Sequence, residues 1–429
     1  MLKVGAVVIG AGHSGLAVSR HLADRGVDHV VLERSEVASA WRAQRWDSLR
    51  LLTPNWLSRL PGYAYRGDDP DGYMSAPQVA AFIEDYAKES AAPVRASTSV
   101  TAVRPVEDGY VVETDQETWH ARAVVVAAGG ATVPSAPAVR HGVPPGIEHR
   151  AAGGSAAGLP AYRNPDDLPG GGVLVVGPSA SGIQIAQEVH ASGRPVTLAV
   201  GEHVRMPRTY RGLDVLWWMD ATGLFDDRYD EIPDLLRARV LPSMQLVGSP
   251  QRATLDLNAL SAAGIRLVGR LAGVHDGVAQ LSGSLPNVCT LADLKLKRLL
   301  KGFDEWAATA GAEQTAGLPP GEPAASTVVP DAPLELDLTS GEFGTVIWAT
   351  GLQPDFGFLA DLPVFDRKGR VRHDGGVVTA SPGLYVIGLP FLRRRKSTLI
   401  DGAGPDAADI ADHLVGHLAA PADGLSSRG

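Results

Sequence analysis

The chain has 429 residues, enough for two or three domains with large cores. Hydrophobic residues make up 45% and charged residues 20%, the balance of an ordinary globular protein. Its 39 basic and 48 acidic side chains leave a formal charge of −9, which argues against a nucleic-acid partner, and the one basic run, Arg393-Arg394-Arg395-Lys396, is too short to change that. No apolar stretch is long enough to span a bilayer, and the apolar N-terminus has no signal-peptide cleavage pattern, so no membrane partner and a cytoplasmic location are expected. A single cysteine, Cys289, excludes an internal redox-active cysteine pair; it is expected to be a small buried residue.

Leu2 to Ile9 is a β-forming apolar run that ends on the turn Gly10-Ala11-Gly12-His13-Ser14-Gly15. Gly10 allows the tight turn, Gly12 lets backbone N–H groups approach a pyrophosphate, and Gly15 lets the next helix sit close to the strand. That helix presents its N-terminus to the phosphates. A second strand, His29 to Leu32, ends on Glu33, whose carboxylate can accept both ribose hydroxyls of an adenosine, with Arg34 beside it. Next, Ser99 to Arg104 and Tyr110 to Thr114 predict a hairpin through Asp108-Gly109. The apolar strand from Val124 runs out into Ala128-Gly129.

A second turn, Gly177-Pro178-Ser179-Ala180-Ser181-Gly182, follows the apolar strand Val173 to Val176. Two such turns in one chain point to a protein that holds two nucleotides and passes electrons between them. Here the position equivalent to Glu33 is Val200, and Arg205, Arg208 and Arg211 follow. Guanidinium groups grip a 2′-phosphate bidentately, which favours NADPH over NADH, although not all three arginines are needed for one phosphate. Ser179 replaces the middle glycine, and its Cβ crowds the place where a pyrophosphate would pass. A repeat that no longer binds dinucleotide is therefore the competing reading. Trp217-Trp218 lines a site entrance or packs in the core.

A Pro/Gly/Ala-rich stretch from Thr309 to Pro333 reads as a long loop returning to the first domain. Two further buried strands end in glycine: Val346 to Ala349 runs into Thr350-Gly351, and Leu384 to Ile387 into Gly388. Such ends leave room for a ligand at the carboxyl edge of a parallel sheet. The expected architecture is α/β, with two Rossmann-like dinucleotide-binding domains. The first spans 1–170 and 335–419, the inserted second spans 171–332, and 420–429 form a disordered tail. Ser, His and Asp residues show no triad logic, and no His/Cys cluster has metal spacing.

The two turns, Glu33, Val126 to Gly129, Trp348 to Leu352 and Gly383 to Gly388 together resemble the class B flavin-containing monooxygenases over nearly the whole chain. The segment Trp41 to Asn55 adds to the likeness. The resemblance implies FAD in the first domain and NADPH in the second. It also implies O2 and a small-molecule substrate as reactants, and allows a homodimer. It places Trp41 and Arg42 against the flavin and gives Asn55, after Thr53, a catalytic amide role; plain core packing for Trp41 and a turn-opening role for Asn55 remain open. It further implies N- or S-oxygenation through a C4a-(hydro)peroxyflavin. The basic run at 393–396 is placed near the flavin's pyrimidine edge, with a solvated charge run as the alternative. One departure stands out. The family's F-x-G-x-x-x-H-x-x-x-Y/F signature ends at Tyr162, but its histidine position is Gly158 and its phenylalanine position is Ala152, with His149 out of register. That leaves open an FAD-dependent oxidoreductase without productive oxygen transfer, and a non-catalytic nucleotide-binding protein on the same fold.

Overall fold

The structure is a computed structural model that describes residues 1–420 apart from 131, 136 and 155–158. The Gly158 signature position and the tail from Pro421 lie outside the described residues. The chain opens with β1 (Leu2–Ile9), α1 (His13–Asp24) and β2 (His29–Leu32). The short helix α2 (Ser39–Ala43) and then α3 (Ala76–Glu89) follow, the latter started by a reciprocal cap between Ser75 and Gln78. Strands β3 (Val94–Arg95), β4 (Val100–Val106), β5 (Gly109–Thr114) and β6 (Thr118–Val126) complete this half. The sheet order is β3-β2-β1-β6-β5-β4, with β1 parallel to both β2 and β6. Its centre is apolar on both faces: Val7, Val8, Val31 and Val124 are each fully buried. The β4–β5 hairpin forms with Val106 opposite Gly109, so Glu107-Asp108 make the turn, one residue earlier than expected.

The second unit begins with β7 (Glu148–Ala151), β8 (Gly172–Val176), α4 (Ala180–Ala191), β9 (Val196–Val200) and β10 (Arg266–Gly269). The strands β11 (Leu271–His275) and β12 (Val278–Leu281) precede the long helix α5 (Leu285–Ala307). After the loop comes β13 (Glu335–Asp337), which closes a three-stranded antiparallel sheet with β12 and β11. The next strand, β14 (Phe343–Trp348), lies between β7 and β8 in the order β7-β14-β8-β9-β10, all parallel.

This corrects one expectation. The loop from Thr309 leads back into the second unit, to β13 of its small antiparallel sheet, and β14 pairs in the second sheet, not the first. A strand buried on both faces has no polar alternation, so its pattern says central and parallel without saying which sheet. We accordingly propose that the second unit takes in 148–151 and 335–348. The first sheet is regained by β15 (Leu384–Val386), parallel to the C-terminal half of β6, and by α6 (Ile400–Ala419), which packs on α1. Between the units the chain crosses twice, and the two crossings pair with each other: Leu352-Gln353 runs antiparallel to Val133-Pro134.

Candidate cofactor cleft

The two glycine turns are geometric copies. Gly10 and Gly177 have φ of +106° and +114°, in the left-handed region that side chains avoid. A Cβ on Gly10 would lie 2.5 Å from the Ala127 carbonyl oxygen, and one on Gly177 would lie 2.3 Å from that of Ala349. A Cβ on Gly15 would lie 1.9 Å from the Gly10 carbonyl oxygen, and one on Gly182 would lie 1.8 Å from that of Gly177. Each helix can approach its strand only because that Cβ is missing. Ala127-Ala128-Gly129 and Ala349-Thr350-Gly351 are thus equivalent pieces, one in each sheet. Gly12 differs: a Cβ there would meet nothing within 4 Å, so the space in front of it is open. Ser179, its counterpart, has φ −81° and is extended without strain.

Both turns open on one cavity of about 1440 Å³. A single-ligand pocket is typically about 300–1,000 Å³, so this one has room for two nucleotides. Gly10, Gly12, His13, Ser14, Glu33, Arg34, Trp41, Ala128 and Gly129 line its first side. Gly177, Ser179, Ser181, Thr350 and Gly351 line the other, and Gly388 also borders it, close to Ser14. Glu33 is fixed at the cleft wall: its Oε2 accepts from the Ala11 N–H at 2.8 Å and its Oε1 from the Ser35 N–H at 3.1 Å. Gly15 and Gly182 stay behind the turns, where they permit the packing.

Four expected contacts are absent from the cleft wall. Arg205 is buried between Asp256 and Asp293, and Arg208 is buried against Asp214 and the Leu52 carbonyl, so neither reaches a phosphate there. Arg42 turns outward to Glu84. Asn55 is buried with both ends of its amide committed, Nδ2 donating to the Asp69 carbonyl and Oδ1 accepting from the Met74 N–H, each at 2.8 Å. The reason is common to all four: a carboxylate or backbone group close in space but distant in sequence claims the side chain. The basic run is likewise consumed, Arg393 by Asp409, Arg394 by Asp406, Arg395 by Asp227, and Lys396 by Asp226 and Asp401. Trp218 is core, its indole N–H bonded to the Tyr210 carbonyl at 2.9 Å, and Trp217 packs edge-on against it. Tyr162 is fully buried, and its hydroxyl donates to Glu188 at 3.0 Å.

Other residues in the wall carried no clear sequence signal. Gln44 and Arg45 line it one helical turn past Trp41, and Arg45 stacks over the Trp41 ring at 5.3 Å. Arg239 and Arg270 line the second side, and Thr398 borders the N-terminus of α6. Proximity to Trp41 could have flagged the first pair; only tertiary structure brings in the others.

The buried polar atoms suit a nucleotide. His13 Nε2 and Gln44 Oε1 have no hydrogen-bond partner among the described residues, and both side chains face the cleft. Burial pushes the His13 pKa down to about 4, keeping a neutral imidazole in the first turn of α1. Cys289 is buried in the core of the second unit, away from the cleft, and burial pushes its thiol up to about 11. It is the inert residue expected. No helix among the described residues is long and apolar enough to cross a membrane.

Residues 7–212 match the pyridine nucleotide-disulphide oxidoreductase family. The chain is 28% identical over 416 residues to a protein of Geobacillus kaustophilus named uncharacterized oxidoreductase CzcO-like, covering 96% of this chain and 99% of that one. It is 34% identical over 214 residues to the indole-3-pyruvate monooxygenase YUCCA1 of Oryza sativa subsp. japonica, covering 49% of this chain and 51% of that one. In fold it is similar to the flavin-containing monooxygenase of Stenotrophomonas maltophilia, with a TM-score of 0.66 at 20% identity, covering 98% of this chain and all of that one. Its duplicated glycine turns and their shared cleft give the chain the two-dinucleotide α/β fold of the structures it resembles, and just under half of the chain matches the pyridine nucleotide-disulphide oxidoreductase family.

Proposed function

We propose that the protein is an NADPH-consuming monooxygenase that adds one oxygen atom from O2 to a nitrogen or sulfur centre of a small organic molecule. The observation that carries this reading is that both turns open on one cleft whose described wall holds no thiol. A flavin fed by NADPH there has no internal disulfide to reduce, which leaves O2 or an external acceptor. The monooxygenase names of the Stenotrophomonas and Oryza proteins support the first.

When bound, FAD supplies the activation of O2 with two electrons from NADPH; one oxygen atom goes to the substrate and the other leaves as water. The chain's own part is positional. The N-terminus of α1 and the open space before Gly12 receive a pyrophosphate, and Glu33 holds the ribose. The second turn repeats that cradle on the facing side, so its nucleotide enters the same cavity. Trp41, Leu241, Leu271 and Phe358 give that cavity apolar wall, which limits water around the reacting atoms.

A second reading, an NAD(P)H oxidoreductase without productive oxygen transfer, is favoured by Asn55, whose amide is engaged away from the cleft. The test separates the two. Purified protein is given NADPH, 18O2 and a set of thioethers and tertiary amines, and the products are weighed by mass spectrometry while H2O2 is counted. One 18O per product, with H2O2 below the NADPH consumed, supports oxygenation. Rapid anaerobic turnover with quinone acceptors, and every aerobic electron pair recovered as H2O2, would sink it.

A further inference from the structure

Arg205 and Arg208 are locked in ion pairs, so the 2′-phosphate of NADPH needs another cation. We propose that Arg270, at the end of β10, reads that phosphate. The inference rests on the second turn holding the coenzyme, and the geometric copy then locates the ribose. In the first unit, Glu33 comes from the end of β2 and reaches the backbone of its turn. The matching place in the second unit is the end of β9, at Val200-Gly201-Glu202.

Gly201 lines the cleft and carries no side chain. A Cβ placed on it would lie 3.5 Å from both Cγ and Cδ of Arg270. The arginine stem therefore runs past the end of β9, at van der Waals distance from where a Cβ at 201 would sit. Arg270 borders the same cavity and is exposed, and among the described residues no carboxylate lies within ion-pair distance of its guanidinium. A planar guanidinium with free N–H groups beside a ribose suits a phosphate monoester, which it can hold bidentately.

Two charged neighbours border the cleft beside it, one acidic and one basic. Glu202 also borders the cleft, but its carboxylate is drawn to Arg237 and to Lys295 at 3.3 Å, which neutralises the repulsion it would offer a phosphate. Arg239 borders the cleft too and keeps a buried Nη2 without a partner among the described residues, but its Nε donates to the Phe391 carbonyl at 3.3 Å, which draws it toward the first unit and makes it the control for the test below.

The test uses FAD-loaded protein and isothermal titration with 2′,5′-ADP and 5′-ADP, so that binding is read without turnover. Wild type is expected to prefer 2′,5′-ADP by roughly 10- to 100-fold, the scale of one or two charge-assisted hydrogen bonds. Arg270→Ala should lower that preference to near unity with 5′-ADP affinity unchanged, and Arg270→Lys should restore part of it. The proposal is overturned if Arg270→Ala keeps the preference, if Arg239→Ala is the variant that loses it, or if wild type binds both nucleotides equally. Only the last would leave a coenzyme site that ignores the phosphate. Binding of neither nucleotide by wild type would instead overturn the assignment of the second turn, and the Arg270 proposal with it.

Discussion

Arg205 donates from Nη1 to Asp293 Oδ1 across 2.6 Å, and so pins the segment after β9 to α5. Asp256 takes the other edge of the same guanidinium at 2.7 and 3.1 Å. Removing one partner of a buried pair typically costs about 3–5 kcal/mol, because the charge left behind has no partner. Arg205→Ala should therefore lower the urea midpoint strongly while folded protein keeps its affinity for 2′,5′-ADP. An unchanged midpoint with selective loss of nucleotide affinity would return Arg205 to the cleft.

The copied turns predict separable defects. In Gly15→Ala the new methyl meets the Gly10 carbonyl, and in Gly182→Ala it meets the Gly177 carbonyl. Gly15→Ala should purify with little flavin. Gly182→Ala should keep its yellow colour but be reduced by dithionite and barely by NADPH. Absorbance spectra under both reductants check this; equal flavin content and equal NADPH reduction in the two variants would contradict it.

Glu33 steadies the Ala11 N–H, and the proposed function gives it a second job, meeting the ribose. A hydrogen bond to a charged group contributes about 1.5–3 kcal/mol, so Glu33→Ala should raise the FAD dissociation constant at least ~10-fold. Glu33→Gln should fall between, since its amide oxygen can still accept. Flavin fluorescence on dilution gives the constants, and a variant that holds FAD as tightly as wild type would remove Glu33 from the site.

Asn55 predicts a structural phenotype. Asn55→Ala leaves the Met74 N–H and the Asp69 carbonyl without their partner, at about 1–3 kcal/mol. Stability should drop, while NADPH oxidation per bound flavin stays near wild type. A large fall in that rate at unchanged stability would restore its catalytic role.

Acid should loosen the first turn. The His13 pKa lies near 4 in the folded chain against an ordinary value of 6.5. The unfolded chain therefore takes up this proton first as pH falls from 6.5 to 4. Stability is full above that window, is lost through it by up to about 1.4 kcal/mol per pH unit, and levels off below it. His13→Gln should flatten the slope in urea titrations between pH 7 and 5; an unaltered slope would mean that another group sets it.

The site was legible where the backbone itself demands a residue. Gly10 and Gly15 cannot be anything larger, and Glu33 ends the strand beside them, so the first cradle could be read in order along the chain. Arg205 could not, since its carboxylates stand 51 and 88 residues further on. The choice between the two readings of Asn55 was hidden for the same reason, its partners lying 14 and 19 residues away. For β14, apolar composition gave its burial and direction, but not which sheet would take it. Arg270 stayed hidden because it comes from β10, one strand beyond the usual ribose strand.

The late placement of β14 and β15 has a consequence for how the protein is made. A nascent chain that has emerged as far as α4 already carries both glycine turns, yet neither cradle is complete. One flank of β8 stays unpaired until Phe343–Trp348 arrives, and the outer end of β6 waits for Leu384–Val386. Open parallel edges of this kind recruit other chains. Aggregation during synthesis is therefore expected at these two edges, and neither sheet has its full set of strands behind its cradle until the last quarter of the chain or so is being made.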